Sequence, residues 1–172
     1  EVISGSKGSD TITLSTWTSA VTVHGDADDD VITGGAGNDS LHGNEGDDTL
    51  CGGGGADYLF GEDGDDILKG SDGGPDSLQG GAGANAADYS GLSAGVSATF
   101  IGQNASVTKA GGTDTLTDIS TFTGTNSADT ITGSPSTTIF GGGGNDTITS
   151  GGVVCGGAGA DSIDGANTLI MY

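Results

Sequence analysis

Aspartates recur at a fixed nine-residue spacing in the first half of the chain. Within Gly34–Phe60, three successive nonapeptides read GGAGNDSLH, GNEGDDTLC and GGGGADYLF, each with Gly at positions 1 and 4, Asp at position 6 and Leu at position 8. Short carboxylates set among glycines suit tight turns that hold a hard cation through oxygen atoms. The spacing therefore predicts metal binding as the chemistry of this chain.

Calcium is the metal ion that this composition favours. Of the 24 acidic residues only three are Glu, and a solvated acidic tail would have no reason to prefer the shorter Asp carboxylate. Two Cys and two His are too few for the usual zinc and copper ligand sets. Mg²⁺ fits less well, because it retains bound waters and demands octahedral geometry, whereas Gly-rich turns offer carbonyl oxygens. The residues therefore predict multiple Ca²⁺ ions as the cofactor.

Charge and hydropathy exclude several classes of partner. A formal net charge of −21, with three Lys and Arg residues in total, has the wrong sign for nucleic acid or an anionic membrane surface. No apolar run approaches the roughly 18 residues of a membrane span, so membrane insertion is not expected. With 37 Gly and few apolar residues, the chain cannot form one large globular core, but stacked repeats could bury a thin continuous strip.

We interpret residues 1–172 as a single repeat domain with four segments. Five nonapeptides run in phase from Gly25 to Lys69, and a sixth, Gly70–Gln79, carries one inserted residue. The spacer that follows keeps strand-like alternation, which favours a continuation of the solenoid over a flexible loop. The segments are an N-terminal coil (1–24), a regular nonapeptide block (25–85), a longer-coil spacer (86–123) and a second, partly degenerate repeat block (124–172).

The second half of each repeat, Asp-x-apolar-x, predicts a very short strand whose apolar side chain points inward. Two nonapeptides would make one coil, so the turns would stack in two rows on opposite sides. Without a cation, carboxylates stacked in this way would repel one another. The two rows would hold Asp30, Asp48 and Asp66 on one side and Asp39, Asp57 and Asp76 on the other. The inward residues would form a ladder of Leu41, Leu50, Leu59, Leu68, Leu78, Ile131, Ile148 and Ile163.

The nonapeptides resemble the Gly-Gly-x-Gly-x-Asp-x-apolar-x repeat of RTX (repeats-in-toxin), haemolysin-type calcium-binding proteins. The resemblance implies an all-β, right-handed parallel β-roll with Ca²⁺ ions bound between stacked Gly/Asp-rich turns. It also implies that the ligands are position-6 carboxylates together with turn backbone carbonyls. The carboxylates would be those of Asp10, Asp30, Asp39, Asp48, Asp57, Asp66, Asp76, Asp129, Asp146 and Asp161. Asn85 departs from the pattern, since an amide replaces the acid there.

Calcium binding is expected to be coupled to folding. A chain with this charge and so little apolar area should be largely disordered without metal. Millimolar extracellular calcium matches the weak end of protein calcium sites, whereas cytosolic calcium would leave the chain unfolded. The expected location is therefore extracellular, either secreted or on the cell surface.

The expected function is a non-catalytic structural or adhesive one, as in a surface-layer, adhesin or self-assembling filament subunit. Nothing in the chain resembles the catalytic domains to which many RTX modules are attached, so we do not expect an enzyme. End-to-end self-association is expected, because the apolar tail Thr168–Tyr172 would present an edge that pairs with another chain. The alternative is an accessory module of a secreted enzyme that assists folding, export or substrate binding.

A third possible function is ice binding, since Thr-x-Thr patterns occur at four places in the chain. The regular block, however, carries other residues at the corresponding positions, so the sequence predicts no continuous Thr ladder. β-Propensity explains Thr on exposed strands sufficiently. The four patterns are Thr11/Thr13, Thr115/Thr117, Thr130/Thr132 and Thr147/Thr149.

The sequence also supports predictions for the two Cys and two His residues. Cys51 and Cys155 are either free, at least partly buried thiols or members of a disulfide. A rigid solenoid would separate them by several coils, which favours a bond between molecules over an intramolecular one. His24 and His42 lack a second ligand at metal-site spacing and are expected at the surface.

Overall fold

The structure is a computed structural model that describes residues 1–71, 73–165 and, as backbone only, 169–171. These residues form 20 β-strands and no helix, so they contain no helix that could cross a membrane. Eleven strands form sheet A: β1 (Val2–Ser6), β3 (Thr22–Ala27), β5 (Ser40–Glu45), β7 (Tyr58–Asp63), β9 (Ser77–Ala82), β11 (Ser97–Ile101), β12 (Asn104–Lys109), β13 (Gly112–Thr117), β15 (Thr130–Thr132), β17 (Thr147–Thr149) and β19 (Ser162–Asp164). Nine form sheet B: β2 (Thr11–Thr13), β4 (Val31–Thr33), β6 (Thr49–Cys51), β8 (Ile67–Lys69), β10 (Ala86–Asp88), β14 (Thr121–Thr123), β16 (Thr138–Gly143), β18 (Val153–Ala158) and β20 (Leu169–Met171).

Successive strands alternate between the two sheets, and strands of the same sheet pair in parallel over most of the length. Ser40 on β5 is the Cα partner of Tyr58 on β7, and Val31 on β4 is that of Thr49 on β6. Both offsets are 18 residues, which confirms that two nonapeptides make one coil. The all-β parallel solenoid expected from the repeats is therefore the observed fold.

A single ladder of aliphatic side chains forms the core between the sheets. Seven of the eight predicted ladder residues, from Leu41 to Ile148, are at most 1% exposed, and Ile163 is half-buried at the last described coil. The short strands make this possible, since each contributes one inward side chain between two outward ones. The prediction of a thin continuous core is confirmed.

The spacer departs from simple parallel coiling. Strands β11, β12 and β13 form an antiparallel meander, in which Ala98 faces Val107 and Ser106 faces Thr115. The outer two strands rejoin the solenoid, because β13 pairs in parallel with β9 and β11 pairs in parallel with β15. The solenoid continues through the spacer as expected, but sheet A gains two extra strands there that sheet B lacks.

Larger side chains fill the wider core at the spacer. Tyr89, Phe100 and Phe122 are buried together, with ring centroids 5.4 Å apart for Tyr89 and Phe122 and 5.3 Å apart for Phe100 and Phe122. Burial of aromatic rings contributes more per residue than burial of the aliphatic ladder elsewhere. The spacer core therefore buries aromatic rings where the regular block buries single aliphatic side chains.

The C-terminal tail is described only in part. The backbone of Leu169–Met171 pairs in parallel with β18, as Val153 with Leu169 and Cys155 with Met171. Thr168 and Tyr172 lie outside the described residues, as do the side chains between them. The expected apolar edge at Thr168–Tyr172 thus lies outside the part of the chain whose side chains are described.

Candidate metal centres

The position-6 aspartates lie in stacked rows, as the spacing predicts. In row one, which leads into sheet B, the N–H of Asp30 donates to Asp48 Oδ1 at 2.8 Å and the N–H of Asp48 donates to Asp66 Oδ1 at 2.9 Å. In row two, which leads into sheet A, Asp39 donates in the same way to Asp57, and Asp57 to Asp76. Each carboxylate therefore lies directly against the turn of the neighbouring coil.

A third row occupies the second repeat block. The N–H of Asp129 donates to Asp146 Oδ1 at 2.9 Å, and that of Asp146 to Asp161 Oδ1 at 3.0 Å. Asp10 begins row one, with its N–H on Asp30 Oδ1 at 2.7 Å. All ten predicted ligand residues therefore belong to these stacked hydrogen bonds. Asp76 accepts the N–H of Asp57 and donates its own N–H to the spacer residue Asp114.

The second carboxylate oxygen divides these aspartates into two groups. Among the described residues, Oδ2 is buried without a hydrogen-bond partner in Asp30, Asp48, Asp57, Asp66 and Asp146. In contrast, Asp39 Oδ2 accepts the N–H of Gly35 at 2.8 Å, and Asp129 Oδ2 accepts that of Thr125 at 2.7 Å. A buried charged oxygen without a partner is costly. The five unpartnered oxygens are the atoms that fit a bound cation best.

Glycine at position 1 leaves a small space beside each of these oxygens. A Cβ on Gly43 would collide with Asp48 Oδ2 and would lie 2.8 Å from the carbonyl oxygen of Gly61 on the next coil. At six other glycines, an added Cβ would likewise contact the carboxylate of its own repeat and a backbone carbonyl of the next coil. These are Gly5, Gly25, Gly34, Gly61, Gly124 and Gly141. Carboxylate and carbonyl oxygens are the ligands that Ca²⁺ prefers, so the donor set fits calcium.

Burial raises the pKa of all five unpartnered carboxyls. Burial, with a smaller contribution from neighbouring carboxylates, raises the pKa of Asp48 and of Asp66 to about 6 and that of Asp57 to about 7. The pKa values of Asp30 and Asp146 are raised in the same direction, again mainly by burial. Desolvation disfavours the charged form unless a positive charge compensates it. In the absence of a cation these carboxyls therefore hold their protons to higher pH than an ordinary Asp does.

Each coil contributes one position-6 carboxylate to a row, and these carboxylates do not form larger clusters in the part of the chain that the structure describes. Among the residues that the structure describes, no three His, Cys, Asp or Glu side chains converge closely enough to hold one metal ion. Any site in these rows would therefore draw most of its oxygens from turn carbonyls, and the expected combination of carboxylates and backbone carbonyls stays a prediction. Exposed acids at position 5 run beside row one and add negative charge, namely Asp29, Asp47 and Asp65.

Comparison with known protein families identifies the repeat. The model of the RTX calcium-binding nonapeptide repeat matches four times, over residues 24–59, 42–74, 60–88 and 138–152. These repeats belong to the RTX calcium-binding family. RTX repeats imply Ca²⁺ binding, and RTX repeat proteins are typically secreted. The matches cover the regular block and residues 138–152, but only the first three residues of the spacer, 86–88. No curated protein matches the chain.

The RTX rows contain residues that the repeat pattern did not identify. Asp114 continues row two, because the N–H of Asp76 donates to Asp114 Oδ1 at 2.8 Å, and it is fully buried. Lys109 lies beside it, with a side chain only 1% exposed. The sequence could have identified Asp114, since Asp114-Thr-Leu116 matches the Asp-x-aliphatic pattern of the repeat. Nothing in the sequence marked Lys109, because an antiparallel strand brings it to the row.

Asn85 ends row one in a different way. Its Oδ1 accepts the N–H of Asp66 at 2.9 Å, as an aspartate of the row would. Its Nδ2 donates to the carbonyl oxygens of Gly81 and Asp118 at 3.4 and 3.3 Å. An amide N–H thus points at the carbonyls that a cation would otherwise face, which explains physically why no calcium site is expected at this repeat.

The cysteines and histidines lie on outward positions of the sheets. Cys51 and Cys155 are free and occupy β6 and β18, five strands apart in sheet B. At about 4.8 Å per strand this is roughly 24 Å, far beyond the reach of a disulfide. His24 stacks on His42 with ring centroids 4.6 Å apart, and His42 Nδ1 lies 2.9 Å from Glu62 Oε1. A disulfide between molecules stays a prediction.

One pentapeptide matches the sequence pattern of a hydrolase nucleophile elbow. Gly91–Gly95 reads GLSAG, a Gly-x-Ser-x-Gly pattern. In hydrolases that elbow joins a strand to a helix and presents its Ser to a His. Here it lies in the irregular connection between β10 and β11, with Ser93 exposed, and His24 and His42 lie on β3 and β5. The pentapeptide therefore lacks the elbow's structural context.

Proposed function

We propose that this chain is a secreted, non-catalytic β-roll that folds on binding Ca²⁺ and serves as a structural or adhesive element outside the cell. The observation that carries the proposal is the set of five buried, unpartnered Asp oxygens in stacked RTX rows. Asp10, Asp30, Asp39, Asp48, Asp57, Asp66, Asp76, Asp129, Asp146 and Asp161 are the proposed ligand positions, together with turn carbonyls. Bound Ca²⁺ would supply positive charge between coils, and the chain's own residues supply the oxygens.

End-to-end association is the proposed route to a larger structure. At one end of the solenoid, β1 and β2 are edge strands, and the core residues Ile3 and Ile12 are only partly buried. Val2 on β1 is 72% exposed. At the other end, Ile163 is likewise partly buried. Edge strands with unpaired backbone groups beside an apolar ladder readily accept another strand, so a second copy of the chain fits here.

We expect Ca²⁺-loaded protein to form end-to-end filaments, and substitution Val2→Asp to abolish them, because a charge on the edge strand β1 disfavours its pairing with a strand of the next copy. Negative-stain electron microscopy and light scattering, in millimolar Ca²⁺ and in chelator, measure this. Ile101→Asp is the matched control, since Ile101 is 83% exposed on β11, away from the edge strands. Dispersed monomers in Ca²⁺ would refute the assembly and favour the alternative, an accessory module of a secreted enzyme.

A regular hydroxyl surface on sheet A supports ice binding as a second candidate function. The expectation of no continuous Thr ladder holds, but Thr and Ser together form continuous rows across the neighbouring strands β13, β12, β11, β15 and β17. There the antiparallel meander places separate Thr-x-Thr and Ser-x-Thr segments side by side in register. Two rows of exposed hydroxyls result: Thr113, Thr108, Ser97, Thr130 and Thr147 in one, and Thr115, Ser106, Thr99, Thr132 and Thr149 in the other.

This surface has the properties that ordered water requires. The ten hydroxyls lie on five neighbouring strands, spaced by about 4.8 Å between strands and roughly 6.7 Å along each strand. Thr side chains are stiff at χ1, so the array is held in place before binding. Thr108 and Thr113 already lie 3.3 Å apart through their Oγ1 atoms. Such a repeating array of methyl and hydroxyl groups suits a lattice of water better than a single flexible ligand.

We expect measurable thermal hysteresis in calcium-loaded protein and its loss in Thr132→Tyr, because a ring at the centre of the array would hold the ice lattice away from the other hydroxyls. Thr11→Tyr is the control, because Thr11 is exposed on β2 of sheet B, outside the array. Absence of hysteresis in the unsubstituted chain would rule out this second function.

A further inference from the structure

A buried lysine lies where row two would otherwise need a cation. Lys109 Nζ is 3.1 Å from Asp114 Oδ1 and 3.4 Å from Asp76 Oδ2, and it donates to the carbonyl oxygen of Gly74 at 2.7 Å. The Lys109 side chain is 1% exposed and the two carboxylates are at most 2% exposed. A buried ammonium is stable only when it is paired and hydrogen-bonded, and here all three of its N–H groups have oxygens within reach.

The oxygens around Lys109 are of the same kind as those proposed for calcium. Asp76 and Asp114 are on successive coils of row two, and Gly74 belongs to the glycine-rich turn before Asp76. The stacking hydrogen bond from Asp76 N–H to Asp114 Oδ1, at 2.8 Å, matches the one from Asp57 N–H to Asp76 Oδ1, at 2.9 Å. The Asp76–Asp114 step thus repeats the geometry of the row, with an ammonium added.

The carboxylates of Asp76 and Asp114 also accept hydrogen bonds from hydroxyl groups. Asp114 Oδ2 accepts the hydroxyl of Tyr89 at 2.8 Å, and Asp76 Oδ2 accepts that of Ser71 at 3.3 Å. One coil earlier, Asp57 Oδ2 has no partner. The row therefore changes abruptly, from an aspartate whose Oδ2 has no partner to a pair that one ammonium and two hydroxyl groups partly compensate.

We infer that the Lys109 ammonium takes the place of a calcium ion between Asp76 and Asp114, so that row two stops binding calcium at this step. This inference rests on the proposed binding of calcium in the same rows. The meander carries Lys109 on β12 to Asp114, whose other carboxylate oxygen accepts the hydroxyl of Tyr89. The spacer is then the part of the roll in which a lysine, in place of a metal ion, supplies positive charge to buried carboxylates.

Calcium stoichiometry tests the inference, measured by equilibrium dialysis and isothermal titration calorimetry on the full chain. We expect Lys109→Ala to bind one more Ca²⁺ per chain than the unsubstituted protein, because removal of the ammonium leaves two buried carboxylates and a carbonyl around an open space. Lys69→Ala removes the same charge from β8 of sheet B and should leave the stoichiometry unchanged. A Lys109→Ala chain that folds with the original stoichiometry, or that stays unfolded in calcium, would overturn the inference.

A second pair of variants needs no change at Lys109. Asp114→Asn keeps an oxygen at Oδ1 and should leave the number of bound ions unchanged, whereas Asp48→Asn should lose at least one. Loss of an ion in Asp114→Asn would contradict the inference while leaving the proposed calcium binding intact. Unsubstituted protein that binds no calcium would overturn the proposed function, and this inference with it.

Discussion

In the presence of chelator at about pH 8, the chain is expected to lose most of its β structure and to regain it cooperatively as Ca²⁺ reaches the millimolar range. The reason is the five buried Asp oxygens without partners in the described structure. An unsatisfied buried polar group costs about 1–3 kcal/mol, so five cost roughly 5–15 kcal/mol, as much as the whole stability of a typical domain. Far-UV circular dichroism against free Ca²⁺ measures the transition, and a fully folded sample in chelator would refute it.

Acidification should partly replace calcium in this experiment. The folded-state pKa values of Asp48, Asp57 and Asp66, about 6, 7 and 6, exceed the ordinary Asp value, so the folded chain binds more protons than the unfolded chain between about pH 4 and 7. The free energy of unfolding without metal therefore falls as pH rises through that range. We expect chelated protein to recover β signal on going from about pH 8 to 5.5. As the pH falls over the same range, the Ca²⁺ concentration at the midpoint of the folding transition should rise, because protons then compete with the ion for the carboxylates.

The regular block could be predicted almost completely from the sequence, because its structure depends on local spacing. A nine-residue period with one inward aliphatic residue leaves little freedom in register, and Leu41, Leu50 and Leu59 are buried as the period requires. The stacking of Asp30 on Asp48 and of Asp39 on Asp57 follows from the 18-residue coil. Local pattern was sufficient here because each coil contacts only its neighbours.

The spacer could not be predicted to the same depth, because its contacts depend on strand direction. The alternation of residues 96–109 predicts strands but does not say that β12 runs antiparallel. That reversal brings Lys109 to Asp76, 33 residues away in sequence, and aligns Thr99 with Thr132. The same limit applies to the two groups of aspartates. Identical position-6 residues differ in whether Oδ2 finds an N–H, which depends on the turn of each coil.

Filling the space beside a single carboxylate should impair calcium binding as strongly as removing the carboxylate. In Gly43→Ala, the new Cβ would collide with Asp48 Oδ2 and lie 2.8 Å from Gly61 O, between the two oxygens proposed to face the ion. Overpacking of a buried site costs about 1–3 kcal/mol. We expect the loss of one bound Ca²⁺ and a fall in Tm of about 2–4 °C per kcal/mol in saturating calcium.

Gly54→Ala is the matched control within the same block. A Cβ there would meet only Ala36, with nearest atoms at 3.6 and 3.8 Å, and the Gly54 backbone does not need a positive φ. Because Ala restricts the unfolded chain more than Gly does, this variant should be neutral or more stable by about 0.4–1 kcal/mol. Calorimetric titration and thermal melts of both variants separate the two effects. Equal calcium stoichiometry and equal Tm in the two variants would show that the space beside Asp48 holds no ion, and the calcium would then have to bind at the exposed position-5 acids of the turns instead.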